Sequence, residues 1–153
     1  MNLFFDTSAL VKIFHDEKCS QDIRNIYNDD NNTSYILDVA QIEYYSALYR
    51  RYRNKEISKN QLKIALTGFD KELVYIRIQC TTSLIIDEAR TLLALYGEGM
   101  GLRTLDSLHL ATFSLIHESD WIFVCCDNTL SDIAAFAGYH VYNPLNNNSI
   151  PES

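Results

Sequence analysis

The chain has 153 residues, 47% of them hydrophobic and 22% charged, a composition that predicts a single globular domain with a substantial core and leaves little room for two. Thirteen basic residues stand against twenty acidic ones for a net charge of −7, which excludes coating of nucleic acid or anionic membrane by bulk electrostatics but leaves room for a local basic patch. Five Gly, two Pro, no biased tract and apolar runs far shorter than roughly 18 residues argue against disorder, collagen-like structure and membrane-spanning helices.

The N-terminus reaches Asp6 without a basic segment, so no signal peptide is expected and a cytoplasmic setting follows. Leu3-Phe4-Phe5 reads as a buried strand that stops at Asp6, with a hydroxyl residue of Thr7-Ser8 expected to cap the next helix. Helical spacing predicts helices over Ala9 to Phe14 and about Cys19 to Tyr27, a polar turn at Asp29 to Asn32, and a second strand at Ser34 to Leu37. Asp38 with Gln41 resembles a capping box, opening a helix with Val39, Ile42, Tyr45 and Tyr49 inward and Glu43 in its first turns. A further helix is expected from Ser58 to about Lys71, then an outer strand within Leu73 to Ile78.

The stripe Ile85, Ala89, Leu92, Leu93 and Tyr96 predicts another helix, followed by a mobile loop where three glycines fall between Gly97 and Gly101. Thr104 is expected to cap a helix that turns Leu105, Leu108, Thr112, Leu115 and Ile116 inward and carries Asp106 at its N-terminus. Trp121 to Cys126 reads as a buried strand ending at Asp127, Leu130 to Ala137 as a short helix closed by Gly138, and Tyr139 to Tyr142 as a last strand. Strands alternating with helices, with central strands apolar throughout, predict a three-layer α/β/α fold around a mostly parallel sheet. The domain is expected to span residues 1–145, leaving a short tail at 146–153.

Cys19, Cys80, Cys125 and Cys126 show no CxxC spacing and are expected to be reduced core residues, and the four histidines lack a zinc-binding spacing. Acids matter more. In an open parallel sheet ligands bind beyond the carboxyl ends of the strands, which is where Asp6 and Asp127 fall. Glu43 and Asp106 lie near helix N-termini that point to the same rim, where capping or a solvated face is the competing explanation. Four converging carboxylates repel one another unless a hard cation such as Mg²⁺ or Mn²⁺ joins them, and that arrangement suits phosphoryl chemistry.

Leu3 to Lys12, Gln41-Ile42-Glu43, Leu105 to Ala111 and Phe123 to Leu130 resemble, in order, the four motif blocks of PIN-domain ribonucleases, in particular the VapC-type toxins of toxin–antitoxin pairs. The resemblance spans nearly the whole chain. It implies a Mg²⁺- or Mn²⁺-dependent endoribonuclease that leaves 5′-phosphate ends, with Asp6, Glu43, Asp106 and Asp127 as metal-holding catalytic acids. It also implies a supporting role for Ser8, whose hydroxyl has helix capping as its alternative, a small cognate antitoxin, and a homodimer. Cys125-Cys126 departs from the hydroxyl residue that the family often has before its last acid. His109 falls on a buried stripe and reads as a packed, hydrogen-bonded residue rather than a general base.

Between Arg50 and Lys63 six basic residues face one acid, Glu56, and Arg50, Arg51 and Arg53 are the candidates for holding RNA phosphates, with a solvated helix face as the alternative. Tyr44, Tyr45, Tyr49 and Tyr52 interleave with them, either to stack on bases or, for Tyr45 and Tyr49, to form core or a dimer contact. A haloacid-dehalogenase-type phosphatase would need a second acid at position 8, a response-regulator receiver a phospho-accepting Asp after its third strand, and a nucleotide-binding module a glycine-rich first turn; none is present. The remaining rival is a PIN-like binding module without catalysis.

Overall fold

The computed structural model describes residues 1–146, so the expected tail lies, apart from Asn146, outside the described residues. The strands are β1 (Asn2–Phe5), β2 (Thr33–Leu37), β3 (Arg77–Gln79), β4 (Trp121–Val124) and β5 (Val141–Tyr142). The helices are α1 (Thr7–Phe14), α2 (Ser20–Tyr27), α3 (Val39–Arg53), α4 (Lys59–Glu72), α5 (Ser83–Met100), α6 (Thr104–Ile116) and α7 (Asn128–Phe136). The sheet runs β3-β2-β1-β4-β5 with every pairing parallel, and Phe4 lies level with both Tyr35 and Phe123.

Alternation along β1 divides the core into two layers. Leu3 and Phe5 face α1 to α4 with Ile36, Tyr44 and Phe69, whereas Phe4 faces α5 to α7 with Leu37, Phe113 and Phe123. Both faces of β1 and β4 are therefore dry, which is why these strands carry unbroken apolar runs. Burying each of these phenylalanines contributes about 2–3 kcal/mol. The result is the three-layer α/β/α fold expected from the sequence. No helix among the described residues is long and apolar enough to cross a membrane.

Several local expectations are corrected. Asp6, not a hydroxyl residue, caps α1 by accepting from the Ser8 amide. Asp38 makes no cap; its carboxylate accepts from the Thr81 amide and hydroxyl instead, tying the end of β2 to the entry of α5. On α3 the buried residues are Ala40, Tyr44 and Leu48, while Ile42 and Tyr49 are exposed. Both sets repeat every three to four residues, so periodicity alone left the phase of this helix open. The Leu73 to Ile78 segment is a 3-10 turn at Leu73–Tyr75 followed by the short edge strand β3.

There is no loop at Gly97: α5 continues through Gly97 and Gly99 and stops at Gly101, whose φ of 75° needs glycine. Helix α6 starts after Arg103 rather than at a Thr104 cap, and it buries Ser107 and His109 to Phe113 while Leu105 and Leu115 are exposed. All four cysteines are free, but only Cys125 is buried and Cys80 is exposed.

Candidate active site

Because β1 and β4 are neighbours, their carboxyl ends deliver Asp6 and Asp127 to one rim, and the Asp6 amide donates to the Val124 carbonyl at 2.9 Å. Each acid also caps the helix that follows it. Asp6 Oδ2 accepts from the Ser8 amide at 2.9 Å and Asp127 Oδ1 from the Leu130 amide at 3.0 Å. One oxygen of each carboxylate is thus engaged by backbone, which fixes its plane and leaves the other oxygen to partners in the cleft. Ser8 is not a cap; its hydroxyl accepts from the Cys126 amide at 2.9 Å and ties the start of α1 to the end of β4.

Glu43, on the first turns of α3, accepts from the Thr7 hydroxyl at 2.7 Å and from His109 Nε2 at 2.6 Å, so Nε2 carries the proton. His109 is only 1% exposed, and its Nε2 also lies 3.9 Å from Asp6 Oδ1. It is a packed, hydrogen-bonded histidine, as its stripe position indicated. Burial works against its charge, yet the Glu43 hydrogen bond and the charges of Asp6, Glu43 and Asp106 hold the imidazole above its ordinary pKa. Burial pushes Glu43 up, but the His109 hydrogen bond and charge, with the Thr7 bond, leave it below its ordinary value. The pair is an ion pair over part of the pH range.

Asp106, in the first turn of α6, faces Asp127 across Arg103. The guanidinium donates from Nε to Asp106 Oδ2 at 2.7 Å and from Nη2 to Asp127 Oδ2 at 2.8 Å. Burial raises the Asp106 pKa; Arg103 opposes this, but the charges of Asp6 and Asp127 add to it, and the carboxyl stays above its ordinary value. Arg103 itself is held charged, first by its Asp106 hydrogen bond.

Asp6, Glu43, Asp106 and Asp127 all line one open cleft of about 970 Å³. Arg50 and Arg51 line it too, and Arg51 pairs with Glu17, whose other oxygen accepts from the buried Lys12 at 3.0 Å. Arg53 does not line this cleft; it lines a separate shallow pocket with Tyr52, Lys55 and Gln61 at the α3–α4 turn. Tyr44 is core, its hydroxyl donating to the Ala65 carbonyl, and Tyr45 donates to Asp70, so only Tyr49 and Tyr52 of that set are exposed.

Among the described residues no three His, Cys, Asp or Glu side chains are grouped to hold a metal ion. Arg103 instead bonds Asp106 and Asp127, and Thr7 and His109 bond Glu43. The donor set nevertheless fits a hard divalent cation, since four carboxylates face one cleft and Asp6 and Asp127 raise the Asp106 pKa through their charges. Sequence reading missed Thr7, Lys12, Glu17 and Arg103. The available signal was modest: Thr7 directly follows a strand-end acid, and Arg103 precedes Asp106 by three positions, the spacing at which helical neighbours meet.

A family model described as PIN domain matches residues 3–135. The chain belongs to the PIN domain family. Comparison with curated proteins gave no match. Among solved structures, this PIN domain is similar to a toxin-antitoxin complex from Klebsiella pneumoniae, with 17% identity, a TM-score of 0.62 and coverage of 93% of this chain and 97% of that one. It is also similar to FitAcB from Neisseria gonorrhoeae (11% identity, TM-score 0.66, covering 94% and 98%). A third likeness is to VapBC2 from Rickettsia felis bound to a DNA fragment from their promoter (15% identity, TM-score 0.60, covering 94% and 98%). At these identities the likeness is one of fold.

Proposed function

We propose that this PIN domain is a metal-dependent endoribonuclease and the toxin of a toxin–antitoxin pair. The observation that carries the reading is the delivery of Asp6, Glu43, Asp106 and Asp127 to a single open cleft bordered by Arg50 and Arg51. Asp6, Glu43, Asp106 and Asp127 would hold Mg²⁺ or Mn²⁺, which when bound would supply charge neutralisation at phosphorus and activation of the attacking water. The chain supplies placement. Asp6 and Asp127 are fixed by their capping bonds, Glu43 by His109 and Thr7, and the spacing of the two strand ends by Ser8. Arg50 is placed to hold backbone phosphates, with Arg51 tempered by Glu17. The description of one structural neighbour as a toxin-antitoxin complex supports an antitoxin partner, and the reading adds, from the family resemblance alone, that this antitoxin is small and blocks the cleft and that the toxin is a homodimer.

The second reading, a binding module without catalysis, is favoured by the engagement of Asp106 and Asp127 with Arg103. Incubation of purified, antitoxin-free protein with cellular RNA separates the two. Discrete fragments are expected with Mn²⁺ or Mg²⁺ and not with EDTA, and Asp6→Asn and Asp106→Asn are expected to lower the rate roughly a hundredfold to a thousandfold. Asn caps a helix about as well as Asp, so Asp6→Asn should fold normally. Intact RNA under every condition from folded protein selects the binding module.

A further inference from the structure

Arg103 holds one oxygen each of Asp106 and Asp127, two of the four acids that a cation would need. Asp127 Oδ1 is committed to the Leu130 amide, so Oδ2 is its outward oxygen, and Oδ2 is the atom that Arg103 Nη2 grips at 2.8 Å. The same guanidinium takes Asp106 Oδ2 through Nε at 2.7 Å. A guanidinium and a divalent ion held at the same two oxygens repel each other, so they compete for them. The Arg103 side chain is 64% exposed, so its ion pairs are of the weak, solvent-screened kind and the group is free to leave. It is also well placed to return: Leu102 is buried as an anchor, Gly101 turns the chain at φ 75°, and Arg103 stands at the entry of α6, three residues before Asp106.

On this geometry, and resting on the metal-binding reading above, we propose that Arg103 is an exchangeable stand-in for the divalent ion. It holds Asp106 and Asp127 together while the cleft has no metal and is displaced from both when metal binds. Arg103 is thus a positioning residue that acts through the two acids and tunes metal affinity by competition. Like charges left facing each other would otherwise drive the rim apart, and a cation from the chain itself prevents this at the cost of weaker metal binding.

The test is calorimetric titration of the full chain with Mn²⁺ alone. Arg103→Gln is expected to bind Mn²⁺ about threefold to tenfold more tightly than the parent, with Arg103→Lys, which keeps the charge but loses the fork, in between. Unchanged or weaker binding in a folded Arg103→Gln overturns the proposal, since a merely structural residue would not tighten binding when removed. Should that variant fail to fold, the parent protein decides: the Arg103 Nε–H resonance must move to a free-guanidinium position as Mg²⁺ is added, and its persistence at saturation overturns the proposal. Asp127→Asn separates the two readings. Loss of Mn²⁺ binding in it, without tightening in Arg103→Gln, leaves the metal site and removes the stand-in. Equal binding in Asp127→Asn, Asp6→Asn and the parent removes both.

Discussion

On the α3 side of the cleft Glu43 is held by Thr7 and by a histidine that is 1% exposed, whereas on the α6 side Asp106 and Asp127 share an arginine whose side chain is 64% exposed. Both ends answer the same electrostatic demand, that a carboxylate drawn into a cleft be neutralised. The answers differ in exchangeability. His109, on α6, packs edge-on against Phe4 of β1 and is 1% exposed, so its bond to Glu43 is part of the fold, whereas the Arg103 side chain is 64% exposed. The buried histidine is a fixed partner, whereas the exposed arginine is the one the proposal above makes exchangeable.

The largest effect on this contrast is expected from His109→Leu, which strands Glu43 in a half-buried position and should cost about 2 kcal/mol in urea unfolding. The pH dependence has a definite sign. Glu43, lowered in the folded state, contributes stability above its ordinary value of 4.5 and loses it as pH falls through the lowered value. His109, raised in the folded state, contributes below its ordinary value of 6.5 and loses it as pH rises through the raised one. The difference between parent and His109→Leu should therefore be greatest between about pH 4.5 and 6.5 and shrink on both sides. A difference independent of pH would show that the pair is not ionic.

Gly101→Ala comes next, since it strains the left-handed turn that leads into Arg103 without meeting any atom within 4 Å. About 1 kcal/mol of stability should be lost, with the amide resonances of Arg103 and Asp106 shifting and those around Glu43 and His109 unmoved. Shifts at both ends would show that the two are coupled rather than independent. The smallest effect is expected from Arg50→Ala. In an Asp6→Asn background it should weaken binding of single-stranded RNA about threefold to tenfold and reduce the salt slope by about 0.7, while Arg53→Ala stays within about twofold. Equal losses would extend the RNA path beyond the cleft to the α3–α4 turn.

The strand-end acids were legible because two physical signals coincide at them: a dry strand must stop at its first charge, and a parallel sheet opens its ligand rim at that end. The α3 face was not legible, because Ala40-Tyr44-Leu48 and Val39-Ile42-Tyr45-Tyr49 satisfy the same period and only the partner surface, Phe69 stacked on Tyr44 at 4.1 Å, selects between them. The glycines at 97 and 99 misled for the same reason: their helical cost is small beside the burial of Leu92 and Ala89 along α5. Capping and a place at the ligand rim also look like rival explanations in a sequence, yet Asp6 and Asp127 each cap a helix and line the cleft.

By itself, then, the sequence determined the layer order, the parallel sheet and the four acids that reach its rim, since these follow from hydrophobic runs and where they stop. Only the tertiary structure decided which cation faces each acid. Arg103, Thr7 and His109 meet their carboxylates across separate elements, over spacings of 24 residues for Arg103 and Asp127, 36 for Thr7 and Glu43, and 66 for His109 and Glu43. Contacts of that kind depend on how α3 and α6 are turned against the sheet, and no local periodicity carries that information.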